Sequence, residues 1–153
     1  MNYFLSLIST FFIAMAPVVE LRGAIPAGVT AGLPLWVSAL VSMAGNMIPV
    51  PFILVFTRNV LKWMEKKSKL LAGFAKKLQD KAEKNKAKVL KYEFWGLVAL
   101  VAVPLPGTGA WTGALVAATL DMQLKRAVPA ILLGVLIAGV LVSLATAGVV
   151  AMI

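Results

Sequence analysis

Most of the charge in this chain lies in one stretch, residues 58–91, and that distribution constrains the fold more than any other feature. The 153 residues include 15 Lys and Arg against 6 Asp and Glu, a net charge of +9. Twelve of those basic residues and three of the acidic ones fall within 58–91, which accounts for the whole excess of nine. The flanking segments carry three charges of each sign. A basic, hydrophilic middle therefore separates two apolar halves.

The composition places this chain in a lipid environment. Hydrophobic residues make up 61% of it and the mean hydropathy is +0.93, more apolar surface than a soluble core of this size can bury. The basic segment has no base-stacking aromatic pattern and lies between apolar segments, so it predicts contact with anionic lipid on the cytoplasmic side, not with nucleic acid. The chain has no Cys and no His. We therefore predict no thiol or imidazole chemistry, no metal site, no cofactor and no enzyme activity.

Two segments are long enough to cross a bilayer. Leu33–Thr57 and Ala127–Ile153 contain 25 and 27 residues without a charge. Phe94–Val103 and Ala110–Leu120 are only 10 and 11 residues long. At about 1.5 Å per residue, each of these short segments reaches roughly half-way through the hydrocarbon core. They predict a re-entrant helical hairpin, and a single kinked span over 94–120 is the alternative.

The two halves follow the same plan. Gly23-Ala24 aligns with Gly109-Ala110, and after a three-residue slip residues 38–45 align with 127–134. We predict one all-α integral membrane domain of two inverted repeats, 1–57 and 92–153. Each repeat is a re-entrant hairpin plus a transmembrane helix, and the basic amphipathic helical segment 58–91 joins the two. Both termini are then expected on the side opposite the basic segment.

Glu20 and Arg22 are the only charged residues among the first 57. A charge within the hydrocarbon costs at least about 2.5–3.5 kcal/mol, so such residues usually serve a function. Residues two apart point to the same side of an extended chain, and an unwound hairpin tip over 20–26, broken at Gly23 and Pro26, would place both in one cavity. We predict Glu20 as a proton carrier and Arg22 as an anion contact. A hydrated loop at the membrane surface is the alternative.

The second half carries a matching cluster of helix-breaking residues, Pro104 to Gly109. Pro104 and Pro106 break the chain, and Gly107 and Gly109 leave backbone N–H groups free at the start of the next helix. A helix N-terminus attracts anions, so the cluster predicts a phosphate or carboxylate site. Thr108 is predicted either to cap that helix or to contact the ligand.

Further polar residues suggest secondary roles. Arg126 is predicted as a second phosphate contact and Asp121 as a second carboxylate, with the snorkelling of Lys125 and Arg126 to head groups as the alternative. Asn46 is predicted to satisfy carbonyls that Pro49 or Pro51 leaves free. The tryptophans are predicted to be interface anchors: Trp36, Trp63, Trp95 and Trp111.

Residues 20–26 (Glu-Leu-Arg-Gly-Ala-Ile-Pro) and 104–114 (Pro-Leu-Pro-Gly-Thr-Gly-Ala-Trp-Thr-Gly-Ala) resemble the two motifs of the small multidrug export protein family. The resemblance covers nearly the whole chain. That family is similar to the DedA superfamily, whose two inverted re-entrant hairpins carry acidic and arginine residues near their tips. By this resemblance Glu20 is the hairpin acid and Arg22 a motif arginine. The second hairpin departs from the DedA pattern, which leaves Lys125 or Arg126 to replace its arginine.

DedA-like proteins are implicated in moving polyprenyl phosphate or phospholipid, in some cases linked to the proton gradient. We therefore expect a multi-pass transporter of the cell membrane that moves a lipid-linked phosphate or a small amphiphile, with proton coupling at Glu20. Membrane lipids are the expected partners, and a homodimer is one candidate assembly. The alternative is a non-transporting scaffold that binds anionic lipid or a protein partner through residues 58–91.

Overall fold

The computed structural model describes residues 2–67, 69, 70, 72, 73, 76, 86–105 and 107–153. Within these residues the chain is helical and contains no strand. Much of the predicted basic segment 58–91, and the predicted hairpin-tip residue Pro106, lie outside the described residues. The helices are α1 (Tyr3–Met15), α2 (Glu20–Thr30), α3 (Leu35–Met47), α4 (Pro49–Lys67), α5 (Lys86–Ala102), α6 (Ala110–Thr119) and α7 (Leu124–Met152).

Two helical stretches are long and apolar enough to cross a membrane. The first is Leu35–Lys67, 33 residues in which α3 and α4 follow each other with a bend at Ile48, and the second is α7, with 29 residues. The bend precedes Pro49 and Pro51, which supply no backbone N–H to the turn before them. Large apolar side chains also lie exposed along the outer face of α7, as expected for a helix in lipid: Leu136, Ile137, Val140, Leu141 and Leu144. These features agree with the predicted membrane fold.

Helices of both halves form one core. Within the halves, α1 packs on α2 and α3, and α5 packs on α6 and α7. Between the halves, α4 packs on α6, and α7 packs on both α2 and α3. Gly134 of α7 and Gly113 of α6 lie against Val101 of α5, where a Cβ on either glycine would overlap that side chain. Small residues at these crossings let the helices approach closely.

The turns that follow α2 and α6 have the same geometry. Leu33 N–H donates to Gly28 O and Met122 N–H donates to Ala117 O, each at 2.9 Å. Gly32 and Asp121 both have positive φ, 93° and 52°. This is the helix-ending arrangement in which a left-handed residue lets the chain turn, and the following apolar residue, Leu33 or Met122, is 3% exposed in both cases. A shift of 89 residues, from 32 to 121, therefore relates the two turns.

The sequence alignment of Gly23 with Gly109 uses a shift of 86 and differs from this register. By position in the structure, Gly109 precedes α6 where Glu20 begins α2, and Gly23 corresponds to Thr112. The shift of 89 does match the alignment of residues 38–45 with 127–134. The first part of the alignment was therefore wrong, because it matched Gly23 with Gly109 by residue type alone. The two glycines make different contacts, with Val19 and with Glu20.

The first break in the helices lies earlier than predicted. It spans residues 16–19, and α2 runs from Glu20 through Gly23 and Pro26 to Thr30. Gly23 lies where a Cβ would overlap the Val19 side chain, so it closes the first turn and does not unwind it. Ser38 Oγ donates a hydrogen bond at 2.8 Å to the carbonyl of Ile25, beside Pro26, and this contact holds α2 against α3. The second break, described at residues 103–105 and 107–109, lies where it was predicted.

Candidate functional site

Glu20, which directly follows the first break, contacts α6, the helix that follows the second break. Its side chain is 4% exposed, and it is the buried one among the charged side chains that the structure describes. Trp111 N–H, in the first turn of α6, donates to Glu20 Oε1 at 3.2 Å. The carboxylate therefore lies at the N-terminus of α6, where unpaired N–H groups and the helix dipole stabilise negative charge. The side chain of Glu20 thus lies at the helix N-terminus where the sequence predicted a phosphate or carboxylate ligand.

Gly109 is required where these two segments meet. Its φ of 143° is a backbone conformation open to glycine and strained for other residues. A Cβ at this position would also lie 2.7 Å from Glu20 Cδ and would overlap the carboxylate oxygens. Both the conformation and the close approach of the carboxylate therefore exclude a side chain at residue 109.

Arg22 binds the backbone of the second break. Its guanidinium donates to the carbonyl of Leu105, to that of Thr108 at 2.5 Å and to that of Val103 at 2.8 Å. It also donates to Thr108 Oγ1 at 3.0 Å. Val103 directly follows α5, so the guanidinium lies at the helix end that carries partial negative charge. Four acceptors from one loop occupy much of the donor capacity of this side chain.

The two charges thus complement the two ends of the second break. Negative Glu20 lies at the start of α6, and positive Arg22 lies at the end of α5. Both come from the first turn of α2, so an extended tip is unnecessary to bring them to one place. We refer to the residues of this contact as the break cluster: Glu20, Arg22, Val103, Leu105, Thr108, Gly109 and Trp111.

Trp111, from the second half of the chain, binds the backbone beside the first break. Its indole Nε1–H donates to the carbonyl of Met15, the last residue of α1, at 3.0 Å. This tryptophan was predicted as an interface anchor, and it is half-buried with its polar atom bound inside the protein. The signal that was missed is its position directly after the Pro-Gly-Thr-Gly break, where a ring N–H can reach the other half of the chain.

The remaining predicted site residues lie outside the break cluster, in the second break or in the turn after α6. Gly107 has φ 82° and is exposed, and its carbonyl accepts a hydrogen bond from Thr112 Oγ1 at 2.9 Å. Pro104 is exposed within the second break. Asp121 is exposed in the turn after α6, a helix whose 10 residues span about 15 Å. The structure therefore brings Glu20, Arg22, Thr108 and Gly109 together and leaves Asp121 at the far end of α6.

Arg126 is exposed in the first turn of α7 and acts on a different carboxylate. Partial burial raises the pKa of Glu93, which precedes the apolar run of α5, and the positive charge of Arg126 opposes that rise. Glu93 also borders a cavity of about 390 Å³ between α5 and α6. The rest of that cavity is mostly apolar, with room for a hydrocarbon chain, and its lining includes Leu97, Leu100, Val116, Ala117 and Met122.

Asn46 does not have its predicted role. Its side chain is 1% exposed, and neither Oδ1 nor Nδ2 has a hydrogen-bond partner among the described residues. The carbonyls that Pro49 and Pro51 leave without an N–H donor therefore do not receive its amide. The hydroxyl of Ser42, one turn earlier on α3, is likewise buried and lacks a partner within the described part of the chain.

Comparison with known families gives the context for this arrangement. Residues 20–141 match the family model described as "Putative small multi-drug export protein". The chain belongs to this family. The match starts at Glu20 and includes both charged residues of the break cluster, the second break and most of α7. No curated protein and no solved structure matches the chain.

Membership confirms the family resemblance read from residues 20–26 and 104–114. Together with the two long apolar helices it identifies a membrane protein. The family description suggests the export of small molecules. The further likeness to the DedA superfamily stays a prediction. Among the residues the structure describes, no three Asp or Glu side chains cluster, so the break cluster offers Glu20 alone as a carboxylate ligand.

Proposed function

We propose that this chain is a small membrane transporter that moves an anionic amphiphile, such as a lipid-linked phosphate, and exchanges protons at Glu20. The observation that carries the proposal is the buried carboxylate of Glu20 at the N-terminus of α6. A helix N-terminus with an arginine beside it is a suitable site for a phosphate group. In this chain an internal carboxylate occupies the helix N-terminus, so substrate and carboxylate compete for the same donors.

This competition couples proton exchange at Glu20 to the movement of the phosphate substrate. Protonation removes the charge of Glu20 and weakens its attraction to the N-terminus of α6. A phosphate group can then take its place and accept hydrogen bonds from the α6 backbone and from Arg22 once it leaves its carbonyl partners. Deprotonation of Glu20 expels the phosphate by repulsion and by competition. Proton binding and anion binding thus favour each other, as linked equilibria require.

We propose that the two breaks are the tips of re-entrant hairpins in an inverted repeat. The shift of 89 residues supports this proposal, because it relates the turns at Gly32 and Asp121 and also relates Arg22 to Trp111. It further pairs Glu20 with Gly109, and these two residues are in contact, as equivalent positions beside a two-fold axis would be. Irregular backbone at membrane depth requires shielding by protein, and here each break lies against the other half of the chain.

A pair of matched substrates tests the proposal. Purified protein in liposomes would be given a fluorescent prenyl phosphate or the same prenyl chain with a trimethylammonium head group, and the change of leaflet would be followed by dithionite quenching. We expect transport of the phosphate, at least tenfold reduced in Arg22→Lys, which retains the charge but not the fork of donors. Transport of the cation alone would contradict the proposal and would instead fit an exporter of cationic drugs.

A further inference from the structure

Buried polar side chains form a continuous seam between α1 and α3. Ser6 and Thr10 on α1, and Ser38, Ser42 and Asn46 on α3, are each at most 1% exposed. Their spacing of four residues places each set on one face of its helix. We refer to these five residues as the polar seam. Where membrane helices pack against each other, side chains of this kind usually form hydrogen bonds to neighbouring helices.

The outer part of the polar seam is satisfied by the protein. Ser6 Oγ donates to Ala31 O at 3.0 Å, in the turn between α2 and α3. Thr10 Oγ1 donates to Ser6 O at 2.7 Å, and Ser38 Oγ donates to Ile25 O at 2.8 Å. The hydroxyl oxygens of Thr10 and Ser38 both lie against Gly28 of α2. Three helices therefore converge around this end of the seam.

The inner part is different because its polar atoms have no protein partner. Within the described residues nothing binds Ser42 Oγ, Asn46 Oδ1 or Asn46 Nδ2. Pro49 lies seven residues after Ser42, on the same helical face, and cannot donate to the carbonyl of Gly45. An amide, a hydroxyl and a carbonyl are thus gathered on one side of α3. Buried polar groups of this kind are almost always hydrogen-bonded, so a small ligand is expected to complete them.

This inner end lies at the depth of the break cluster. A Cβ at Gly45 would lie 2.5 Å from Phe11 O and 3.1 Å from Ala14 Cβ, so the end of α3 touches the end of α1. The next residue, Met15, accepts the indole hydrogen bond of Trp111 at 3.0 Å. Trp111 N–H in turn binds Glu20. A short series of contacts therefore connects the end of α3, which carries the unpartnered atoms, with the buried carboxylate.

We infer that the inner polar seam holds water and that the seam is the route by which protons reach the depth of Glu20. The inference rests on the proposed function, since it supplies the path that proton exchange at Glu20 requires. Hydroxyl and amide groups offer both donors and acceptors, which suits a water molecule with its two to four partners. A dehydrated cation is disfavoured, because no member of the seam carries a negative charge to compensate it.

The outer end of the seam lies at the turn between α2 and α3. Ser38 lies in the first turns of α3, and Ser6 contacts the turn directly. The continuous helix Leu35–Lys67 leads from there to the basic residues Lys66 and Lys67 at its other end. The outer end of the seam therefore lies toward the membrane face opposite the basic segment. Under the predicted topology this is the outside of the cell, the side from which a proton gradient drives protons inward.

Cysteine accessibility tests this inference directly, since the chain has no native cysteine. Methanethiosulfonate ethylammonium reacts with ionised thiols, which form only in contact with water. The test compares Ser42→Cys with Leu40→Cys, a residue of the same helix that is 59% exposed on the outer surface. In proteoliposomes we expect modification of Ser42→Cys to be at least tenfold faster. Equal rates, or faster modification of Leu40→Cys, would overturn the inference.

A second cysteine position in the seam is available if the first variant does not fold. Both variants would first be required to elute as the unmodified protein does on gel filtration, and Asn46→Cys would replace Ser42→Cys if that variant failed. The labelling readout needs no transport, so a negative result would remove the water route and leave the role of Glu20 open. Conversely, absence of transport would remove the proposed function while the labelling still tested the seam.

Discussion

Arg22 in the first turn of α2 and Trp111 in the first turn of α6 each donate from the side chain to carbonyls beside the helix break in the other half of the chain. Arg22 binds the carbonyls of Val103, Leu105 and Thr108, and Trp111 binds the carbonyl of Met15. Backbone carbonyls freed at a break cannot remain unpaired in lipid. Each half therefore supplies the groups that satisfy the other, and we expect neither break to be stable alone.

Replacing Trp111 by Phe should remove one hydrogen bond and retain the ring packing. The carbonyl of Met15 then loses its partner, and we expect a loss of about 1–3 kcal/mol in the free energy of unfolding. Thermal unfolding in detergent measures the change. Trp36→Phe is the control, because Trp36 is 68% exposed, and it should leave the midpoint unchanged. An equal midpoint for both variants would show that the indole hydrogen bond does not stabilise the break.

Arg22→Ala should be more damaging than Trp111→Phe. It leaves three carbonyls and the Thr108 hydroxyl without the guanidinium, and hydrogen bonds to charged groups contribute about 1.5–3 kcal/mol each. We expect a loss of at least about 3 kcal/mol in unfolding free energy, with a smaller loss for Arg22→Lys. Chemical unfolding in mixed micelles gives the comparison. Wild-type stability in the alanine variant would mean that Arg22 is not held as described.

Gly109→Ala should displace the Glu20 carboxylate from α6. Strain at positive φ costs about 1–3 kcal/mol, and the added methyl group overlaps the carboxylate. Gly148→Ala is a suitable control, since a Cβ at Gly148 meets nothing within 4 Å. A double-mutant cycle with Glu20→Ala sharpens the test: removing the carboxylate should recover part of the stability lost in Gly109→Ala. Strict additivity of the two changes would argue against direct contact.

The predicted topology can be checked with two cysteines introduced into the cysteine-free chain. Asn2→Cys should react with a membrane-impermeant maleimide from outside the cell, and Asp80→Cys should react only after permeabilisation. The positive-inside rule is the physical reason, because residues 58–91 carry nine excess positive charges. Equal protection of both positions from the external reagent would refute this orientation.

The existence of the two long apolar helices and the position of the second break were predictable because they depend on local properties. Runs of uncharged residues set the two long helices, and the Pro-Gly cluster of 104–109 cannot continue a helix. The first break was misplaced because Gly23 and Pro26 also disfavour a helix. The contact that holds α2 against α3 there, between Ser38 and the Ile25 carbonyl, joins residues 13 apart and cannot be read from local sequence.

The site residues were predictable in identity but not in their partners. Two isolated charges in an apolar half draw attention to Glu20 and Arg22, and a glycine-rich turn before a helix predicts an anion site. The internal carboxylate that occupies that site depends on how the two halves pack. The same holds for Trp111 and Asn46, whose surroundings come from helices distant in sequence. Contacts between helices that are distant in sequence could not be predicted from local sequence patterns.

The central claim is tested most directly by measuring how a pH gradient affects transport in the wild type and in Glu20→Gln. Glutamine keeps the shape of the side chain and cannot exchange a proton. Fluorescent prenyl phosphate would be followed in proteoliposomes with and without an imposed pH gradient, for the wild type and for this variant. We predict that the gradient accelerates movement in the wild type and has no effect in Glu20→Gln, whose transport then depends on the substrate gradient alone. Acceleration by the pH gradient in Glu20→Gln equal to that of the wild type would contradict the account.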